Sequence, residues 1–494
     1  MRRIAFALAF TLAAFTAEQV RHEVADAAQR PDKAAVLTLL ATHADVNAAQ
    51  PDGTTALHWA AFHDDLEMAR ALVRAKANPK AANRYGVAPL SLACTNGSAK
   101  MVGLLLDSGA DANSSLPGGE TALMTASRTG VAGAVKLLIE HGAKVDAKEE
   151  KRGQTALMWA AAEGNVEVIE LLLKAGADLH AKVGSGFTPL LFAVREGRIP
   201  AMRALLKAGA DVNEIVQAST GKGRIAAAPR AGTSALILAT ANAHYELASY
   251  LLDAGADPNA NGPGYTALHV ITNIRKPGVG DNDPPPDGSG NMTSLELVHK
   301  LVAKGANINS RMTKKINFGL TSLNTAGATP YFLAAKTADA ELMRVLAKLG
   351  ADTSINNEDD STPLMAVAGL GTRSPGEDAG TESEVLEALQ TALDLGANID
   401  AVDKNGETAM HGAAYKNHPQ AVLFLATKGA RIEIWNRKNR FGWTPLRIAE
   451  GYRFGNFKPS PETIAAFHKV MKERGVPPVS EPSGSGDPAW KAPQ

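Results

Sequence analysis

A glycine-marked turn followed by two short apolar stretches recurs along most of this chain. The first five marking glycines, at positions 53, 86, 119, 153 and 186, are 33, 33, 34 and 33 residues apart. Later turns have glycine at positions 232, 264, 327, 406 and 442, and Asp360 takes the same place in Asp-Ser-Thr-Pro-Leu. A fixed period of this length predicts small supersecondary units that bury their apolar faces only by stacking on neighbours.

Residues 153–181 predict the fold of one unit, two short helices joined by a turn. Thr155 is expected to cap the first helix, which ends at Gly164. Asn165 is expected to cap the second helix, and Gly176 is expected to end it in a left-handed conformation. Such a unit has apolar surface on more than one side and therefore needs a neighbour on each side.

Two short signatures recur in phase with this period. The first is Thr-Ala-Leu-His, at residues 55–58 and 266–269, or Thr-Pro-Leu, at 188–190, 362–364 and 444–446. The second is Gly-Ala-Asp near the end of a unit, at residues 109–111, 176–178, 209–211, 255–257 and 350–352. With these signatures the chain resembles the ankyrin-repeat family, over roughly residues 18–475. The resemblance implies an all-α solenoid with β-turn fingers, here of about 12 helix–turn–helix units, that binds a partner on its concave side and has no characteristic catalytic residues.

The sequence predicts three segments. Residues 1–17 have a basic start, Arg2 and Arg3, and then an apolar run that is too short to span a bilayer comfortably, which indicates a secretory signal. The alternative for this segment is an uncleaved membrane anchor. The repeat domain is expected at 18–475, with an N-terminal cap at 18–52, repeats at 53–441 and a C-terminal cap at 442–475, and the Pro-, Ser- and Gly-rich residues 476–494 are expected to be disordered.

Insertions interrupt the period at four places. They are expected at about residues 215–231 and 311–326, where they enlarge fingers, and at about 273–292 and 371–383, between the two helices of a unit. Insertions in a solenoid map to loops and leave the stack intact. The two enlarged fingers carry basic residues, among them Lys222, Arg224, Arg230, Lys314 and Lys315, that could clamp an acidic partner.

Composition narrows the range of functions. Basic and acidic residues balance at 51 each, so no net charge favours nucleic acid or an anionic membrane surface. The single cysteine, Cys94, permits neither an intrachain disulfide nor a cysteine-based metal site, and it is expected to be buried. After removal of the signal we expect no membrane span, an exported chain in the periplasm or outside the cell, and a monomer.

No constellation in the sequence indicates catalysis, a cofactor or a metal. The histidines His58, His269 and His411 recur at one position of the repeat and are expected to tie one turn to the next. The acidic stretch at 281–288 contains three prolines and does not have the spacing of a calcium-binding loop. The charge run at residues 149–152 is expected to be solvated at a fingertip.

Candidate partner contacts follow from the resemblance, because fingertips and first-helix ends line the concave face of ankyrin-like stacks. Aromatic and arginine side chains are enriched at interface hot spots. The candidates, all expected to be exposed, are Asp52, Phe62, His63, Arg84, Tyr85, Lys151, Arg152, Phe187, Arg195, Tyr265, Tyr415 and Lys416. Trp59 and Trp159 are instead expected to pack between units.

Three hypotheses about function follow. The first is a non-catalytic scaffold that binds a partner protein through its concave face and inserted finger loops. The second is a secreted effector that imitates eukaryotic scaffolds inside a host cell. The third is an enzyme or metal-dependent protein that uses the inserted loops, and the absence of catalytic and metal-binding motifs argues against it.

Overall fold

The computed structural model describes residues 22–217, 229–278, 286–316, 321–453, 455 and 458–478. The regular secondary structure of these residues is helical, and they contain no strand. Isolated bridges join Ser115 with Thr121 and Thr321 with Thr372. The predicted all-α class is confirmed. The chain divides into two compact units between residues 228 and 229, and each unit is described by itself.

The described residues of the N-terminal unit form six helix pairs. Their bounds are α1 Glu23–Gln29, α2 Lys33–Ala41, α3 Ala56–Phe62, α4 Leu66–Arg74, α5 Pro89–Thr95, α6 Ala99–Asp107, α7 Ala122–Thr129, α8 Ala132–Glu140, α9 Ala156–Glu163, α10 Val166–Lys174, α11 Pro189–Arg195 and α12 Ile199–Lys207. First helices pack on first helices of the adjacent pairs, and second helices on second helices. This arrangement is the predicted solenoid.

The C-terminal unit repeats the pattern with longer connections. Its helices are α13 Ala235–Ala241, α14 Tyr245–Asp253, α15 Ala267–Arg275, α16 Ser294–Ala303, α17 Pro330–Lys336, α18 Ala340–Lys348, α19 Pro363–Ala368, α20 Glu382–Asp394, α21 Ala409–Lys416, α22 Pro419–Thr427, α23 Ile432–Trp435, α24 Pro445–Ala449 and α25 Pro461–Glu473. The first helices again pack in succession, from α13 through α15, α17, α19 and α21 to α24. The single turn α23 precedes the last pair.

Residues 153–181 fold largely as their sequence predicts. The Thr155 hydroxyl accepts a hydrogen bond from Met158 N at the start of α9, and Gly164 ends this helix with φ of 87°. Gly176, with φ of 90°, follows α10. Asn165 occupies the predicted N-cap position of α10, but its side chain does not make the expected cap hydrogen bond. Its Nδ2 instead donates to Ser127 O at 2.8 Å and Arg128 O at 3.1 Å, and so joins this repeat to the preceding one.

Small residues set the spacing between successive first helices. One alanine position recurs in phase with the repeat, and it is fully buried in five successive first helices, as Ala60, Ala93, Ala126, Ala160 and Ala193. Without a large side chain at this position the helices approach closely. A larger side chain there would overpack the contact, at a typical cost of about 1–3 kcal/mol.

Two of the three recurrent histidines, His58 and His269, tie neighbouring turns together as predicted. His411 accepts from the Thr408 N–H at 3.2 Å, but its buried Nε2 meets no hydrogen-bond partner among the described residues. The Thr55 N–H donates to His58 Nδ1 at 3.1 Å, which places the His58 proton on Nε2, and Nε2 lies 3.0 Å from the carbonyl oxygen of Val87 in the next finger. His269 makes the same contacts, with its Nε2 3.2 Å from Ala328 O. Burial lowers the pKa of His269 to about 4, so this histidine is neutral at physiological pH.

The first described helix begins at Glu23, with His22 at its N-cap position, and residues 18–21 of the predicted N-terminal cap lie outside the described residues. The last described helix, Pro461–Glu473, lies within the predicted C-terminal cap at 442–475. Residues 1–17 and most of the tail, from 479 onward, lie outside the described residues. A search of the described helices for an apolar span of membrane-crossing length gives no candidate.

The inserted segments occupy the predicted connections. Residues 276–293 separate α15 from α16, and residues 369–381 separate α19 from α20. The finger insertion at 311–326 is described except for residues 317–320, and its Ile316 and Thr325 are buried. Most of the insertion at 215–231, including Lys222 and Arg224, lies outside the described residues.

Candidate functional site

An aromatic cluster lies at the end of the first helix of the second repeat. The ring of Phe62 meets those of Trp59 and His63 edge-on, at centroid distances of 5.7 Å and 5.2 Å. Phe62 remains 53% exposed. Asn96 in the next repeat donates to the carbonyl oxygens of Ala61 and Phe62, each at 2.9 Å. The backbone under the exposed Phe62 ring is therefore held in place by the neighbouring repeat.

The next fingertip presents a second exposed aromatic side chain. Tyr85 is 56% exposed, and the Arg84 guanidinium lies 5.0 Å from its ring centroid and donates to its hydroxyl at 2.8 Å. The Arg84 N–H donates to the Asp52 carbonyl at 2.8 Å, which links the two fingertips. The Asp52 carboxylate is engaged in its own turn, where it accepts from the backbone N–H and the hydroxyl of Thr54. Arg84 and Tyr85 thus lie at a fingertip that is joined to its neighbour.

The charge run at residues 149–152 is only partly solvated. Lys151 and Arg152 are exposed, as expected, but Glu149 is 8% exposed. Burial raises the pKa of its carboxyl, but hydrogen bonds from backbone N–H groups, including those of Gln154, Lys151 and Arg152, outweigh burial and leave the pKa lowered. Glu149 therefore shapes the fingertip that presents the two basic side chains.

Phe187 is not an exposed contact residue. It is 3% exposed and packs edge-on against Phe192, with ring centroids 5.4 Å apart. The half-buried Arg195 places its guanidinium 5.4 Å from the Phe187 centroid and 5.0 Å from that of Phe192, while its Nε donates to Glu196 at 2.8 Å. The exposure prediction is wrong for Phe187 because its ring packs against Phe192 and under the Arg195 guanidinium. Phe187 follows the turn glycine, and its carbonyl closes the turn by accepting from the Val183 N–H at 3.1 Å.

Tyr265 follows Gly264 in the same way and is half-buried. Burial raises the pKa of its hydroxyl, and the positive charge of Arg230 opposes this rise. Tyr265 is therefore less exposed than the sequence predicts.

Tyr415, predicted to be exposed, is buried at 4% exposure. Its hydroxyl donates to Glu407 Oε1 at 2.8 Å, and Asn439 Nδ2 donates to the same oxygen at 2.8 Å. Burial, assisted by the nearby Asp403 carboxylate, raises the pKa of Glu407 to about 7 against the opposing hydrogen bonds from Tyr415 and Asn439. Tyr415 is thus a member of a buried polar network and not a surface contact.

Lys416 is also buried, at 2% exposure, and its ammonium donates to the Ala379 carbonyl oxygen in the loop at 369–381. The Asp378 carboxylate of this loop lies 3.4 Å from Lys336 Nζ and accepts from the Thr372 hydroxyl at 2.9 Å. Burial lowers the pKa of Lys416 to about 8, and the negative charge of Asp378 opposes this. The exposure prediction fails because the inserted loop covers the end of α21.

These corrections separate two regions. In the N-terminal unit Phe62, His63, Arg84, Tyr85, Lys151 and Arg152 are exposed, Asp52 and Arg195 are half-buried, and Phe187 is buried. In the C-terminal unit Tyr265 is half-buried, Lys416 is buried under the loop at 369–381, and Tyr415 belongs to a buried network whose central residue, Glu407, was not among the sequence-based candidates. The position of Glu407 between the turn glycine Gly406 and the helix cap Thr408 was the sequence signal that could have indicated its burial. Searching the described residues for clustered metal-ligating side chains gives no group of three, and positions 281–285 of the acidic loop lie outside them.

Comparison with known protein families matches repeats along the chain. A family model for ankyrin repeats in three copies matches residues 24–115 and 111–183. A model for a single ankyrin repeat matches residues 185–215 and 231–262, and a model for ankyrin repeats in many copies matches residues 379–426. Together the matched segments span more than half of the chain.

Several known proteins are similar to parts of this chain. This chain is 34% identical over 217 residues to Neurogenic locus notch homolog protein 1 of Xenopus tropicalis, and the aligned region covers 39% of this chain and 8% of the relative. It is 30% identical over 106 residues to Ankyrin repeat protein OPG189 of Variola virus, covering 22% of this chain and 16% of the relative. It is 30% identical over 96 residues to Glycerophosphocholine phosphodiesterase GDE1 of Candida albicans, covering 19% of this chain and 8% of the relative. The chain thus spans a small fraction of each relative.

Proposed function

Because this chain belongs to the ankyrin-repeat family, we propose that it is a non-catalytic scaffold that binds a partner protein. The proposed contact surface consists of the exposed fingertips and first-helix ends of the N-terminal unit, and the enlarged finger of the C-terminal unit is a separate candidate contact. Ankyrin repeats are a protein-interaction architecture, and their typical members have no catalytic site of their own. The match to a phosphodiesterase covers 8% of that protein and does not favour hydrolysis here.

The exposed aromatic pair Phe62 and Tyr85 carries this proposal. Each side chain is more than half exposed, at 53% and 56%, and neither contributes a large buried surface to the repeat core. Large apolar rings held on a rigid backbone favour association, because little conformational freedom remains to be lost on binding. The hydrogen bonds from Asn96 under Phe62 and the guanidinium of Arg84 over Tyr85 supply that rigidity.

A partner-capture experiment tests this surface. The chain lacking residues 1–17 is immobilised, its partner is identified from native lysate, and the affinity is then measured with purified partner. The F62A/Y85A variant should bind at least about tenfold more weakly, because truncation of hot-spot aromatics typically costs 1–2 kcal/mol or more each. The control variant L37A/L395A removes two exposed side chains, 48% and 37% exposed, from outside this surface. Equal affinities for the two variants would contradict the proposal.

The basic finger residues Lys314 and Lys315 are a second proposed contact, for an acidic region of the partner. Both are exposed. Their segment also packs, since the Ile316 N–H donates to the Thr325 hydroxyl at 2.9 Å and both residues are buried. Deletion of the whole finger would therefore disturb the fold as well as the charge. The K314Q/K315Q variant removes the charge and keeps most of the side-chain length, and it should bind the partner more weakly than the unmodified chain.

We also propose that residues 1–17 export the chain. The support is the order of charge and hydropathy in this segment, two arginines followed by an apolar run. An exported scaffold would meet its partner in the periplasm or outside the cell.

A further inference from the structure

A pocket of about 520 Å³ lies in the C-terminal unit, on the side formed by fingertips and first-helix ends. This volume falls within the range of about 300–1,000 Å³ that is usual for small-ligand sites. Fingertip residues of successive repeats line it, and Glu407 and Tyr415 of the buried network belong to its lining. A regular ankyrin-type groove is open, so the walls of this pocket need a structural cause.

Two inserted segments build one wall. Ser322, in the enlarged finger, donates from its backbone N–H to Gly371 O at 2.8 Å and from its hydroxyl to the same oxygen at 3.0 Å. Thr321 pairs with Thr372 in an isolated bridge. Gly371, at φ of +80°, lies so close to Leu323 that an added Cβ would be 2.5 Å from Leu323 N. The insertions of two consecutive repeats are therefore joined to each other.

The loop of the last repeat reaches the same place. Gly455, in the connection between α24 and α25, lies against the Arg373 carbonyl so closely that no side chain would fit. Three connections from three repeats thus meet around Arg373. The pocket is built by the departures from the repeat pattern and not by the pattern itself.

Three cationic side chains from three different segments line this pocket. They are Lys315 of the enlarged finger, Arg373 of the inserted loop and Arg440 of a later fingertip. All three are exposed, and none forms an ion pair with another described residue. The Arg440 guanidinium lies 4.6 Å from the Phe441 ring centroid, which positions it without neutralising it.

The acidic groups of the pocket do not balance these three charges. Asp359 accepts a hydrogen bond from Asn324 Nδ2 at 3.1 Å. Glu407 is buried, and both of its donors, Tyr415 and Asn439, bond to its Oε1. Burial and the Asp403 charge keep the pKa of Glu407 at about 7, so near neutral pH a large part of the molecules have a neutral Glu407. An excess of positive charge therefore faces the cavity, and such a field concentrates anions.

We propose that this pocket binds a carboxylate group, held by Arg373, Arg440 and Lys315, and presented by a small organic acid or by an acidic side chain of the partner protein. Guanidinium groups bind carboxylates with charge-assisted and often paired hydrogen bonds. The free-acid source stands without the proposed scaffold function, whereas the side-chain source rests on it.

Calorimetric titration of the full chain at low salt, near pH 6.5 where aliphatic carboxylates are ionised and most of Glu407 is neutral, tests the proposal. The probes are citrate and a capped Glu-rich pentapeptide, and the matched negative probe is the same peptide with Gln for Glu. The R373Q/R440Q variant should bind the acidic probe at least about tenfold more weakly than the unmodified chain, since two charge-assisted contacts are removed. The control K469Q removes an exposed charge on α25, outside the pocket, and should leave binding unchanged.

Each outcome is informative. Binding of citrate identifies a free acid as a sufficient ligand, and binding of the Glu peptide alone assigns the pocket to a polypeptide carboxylate. Binding of neither probe, or equal binding by R373Q/R440Q and K469Q, overturns the proposal. If citrate binds but no partner is captured, the pocket stands and the scaffold function fails.

Discussion

At the scale of single residues, the position that follows the turn glycine, or Asp360 in its place, has a structural role that the sequence pattern does not indicate. Thr54, Ser361 and Glu407 occupy it in three repeats, and all three are buried. Each side chain forms a hydrogen bond to the first residue of the next finger, at 3.3 Å to Asn83, 2.8 Å to Asp403 and 2.8 Å to Asn439. This position therefore connects fingers in these three repeats, and at the same position Phe187 is buried and Tyr265 half-buried.

Glu407 gives the first prediction at this scale. Its carboxyl has a pKa of about 7 in the folded chain, raised from 4.5 chiefly by burial, so the folded state keeps this proton to a higher pH than the unfolded state. The stabilisation is complete below pH 4.5 and is lost as the pH rises through about 7. E407Q, which retains the acceptor oxygen for Tyr415, should remove this contribution, worth up to about 1.4 kcal/mol per pH unit.

Denaturant midpoints measured from pH 5 to 8 check this slope. The E407Q variant should show a flatter decline with rising pH than the unmodified chain, while E377Q, at an exposed position of the inserted loop, should follow the unmodified chain. Parallel curves for E407Q and the unmodified chain would show that Glu407 titrates normally.

At the scale of elements, the inserted loop at 369–381 is a packed part of the fold. Asp378 lies between two buried lysines, Lys336 and Lys416, at 6% and 2% exposure. Burial raises the pKa of Asp378, but the positive charges of the two lysines outweigh burial and leave the pKa lowered. The loop is thus held by a buried charge cluster, together with its hydrogen bonds to the enlarged finger.

D378N should release this loop. It leaves two buried ammonium groups without their counter-charge, and removal of one partner from a buried ion cluster typically costs about 3–5 kcal/mol. We expect faster amide hydrogen exchange across residues 370–380 and a lower denaturant midpoint for the C-terminal unit. The matched control D360N changes an exposed, ion-paired carboxylate and should shift stability by no more than about 0.5 kcal/mol. Unchanged exchange in D378N would show that the cluster does not hold the loop.

At the scale of the whole molecule, the two units present different candidate binding sites. The N-terminal unit has near-regular repeats with the exposed aromatic side chains of Phe62 and Tyr85. The C-terminal unit has insertions that enclose a cationic pocket. If the N-terminal segment exports the chain, as we propose, both units act in the same compartment.

Fractionation of a bacterial host expressing the full chain tests export. We expect the protein in the periplasmic or culture fraction, with an intact mass that lacks residues 1–17 or a few residues fewer. A variant without residues 2–17 is the control and should remain in the cytoplasm. Full-length protein retained in the membrane fraction would instead support the anchor alternative, and full-length protein in the cytoplasm would rule out export.

The sequence by itself determined the repeat fold, because the information is local and is repeated. Thr155, Gly164 and Gly176 act within their own unit, and the alanines at the position of Ala160 recur with the period, so each repeat confirms the next. The insertions could be located for the same reason, as interruptions of a known period.

Only the tertiary structure decided which insertions meet and which polar residues they bury. Gly371 and Leu323 are far apart in the chain, and Asn165 bonds to the preceding repeat instead of capping its own helix. Tyr415 bonds to Asn439 of the next finger, and Lys416 bonds to the inserted loop of the preceding repeat. These contacts depend on how each repeat packs against its neighbours. A sequence pattern describes each repeat separately and contains no distance between repeats, so only the tertiary structure shows the cationic pocket.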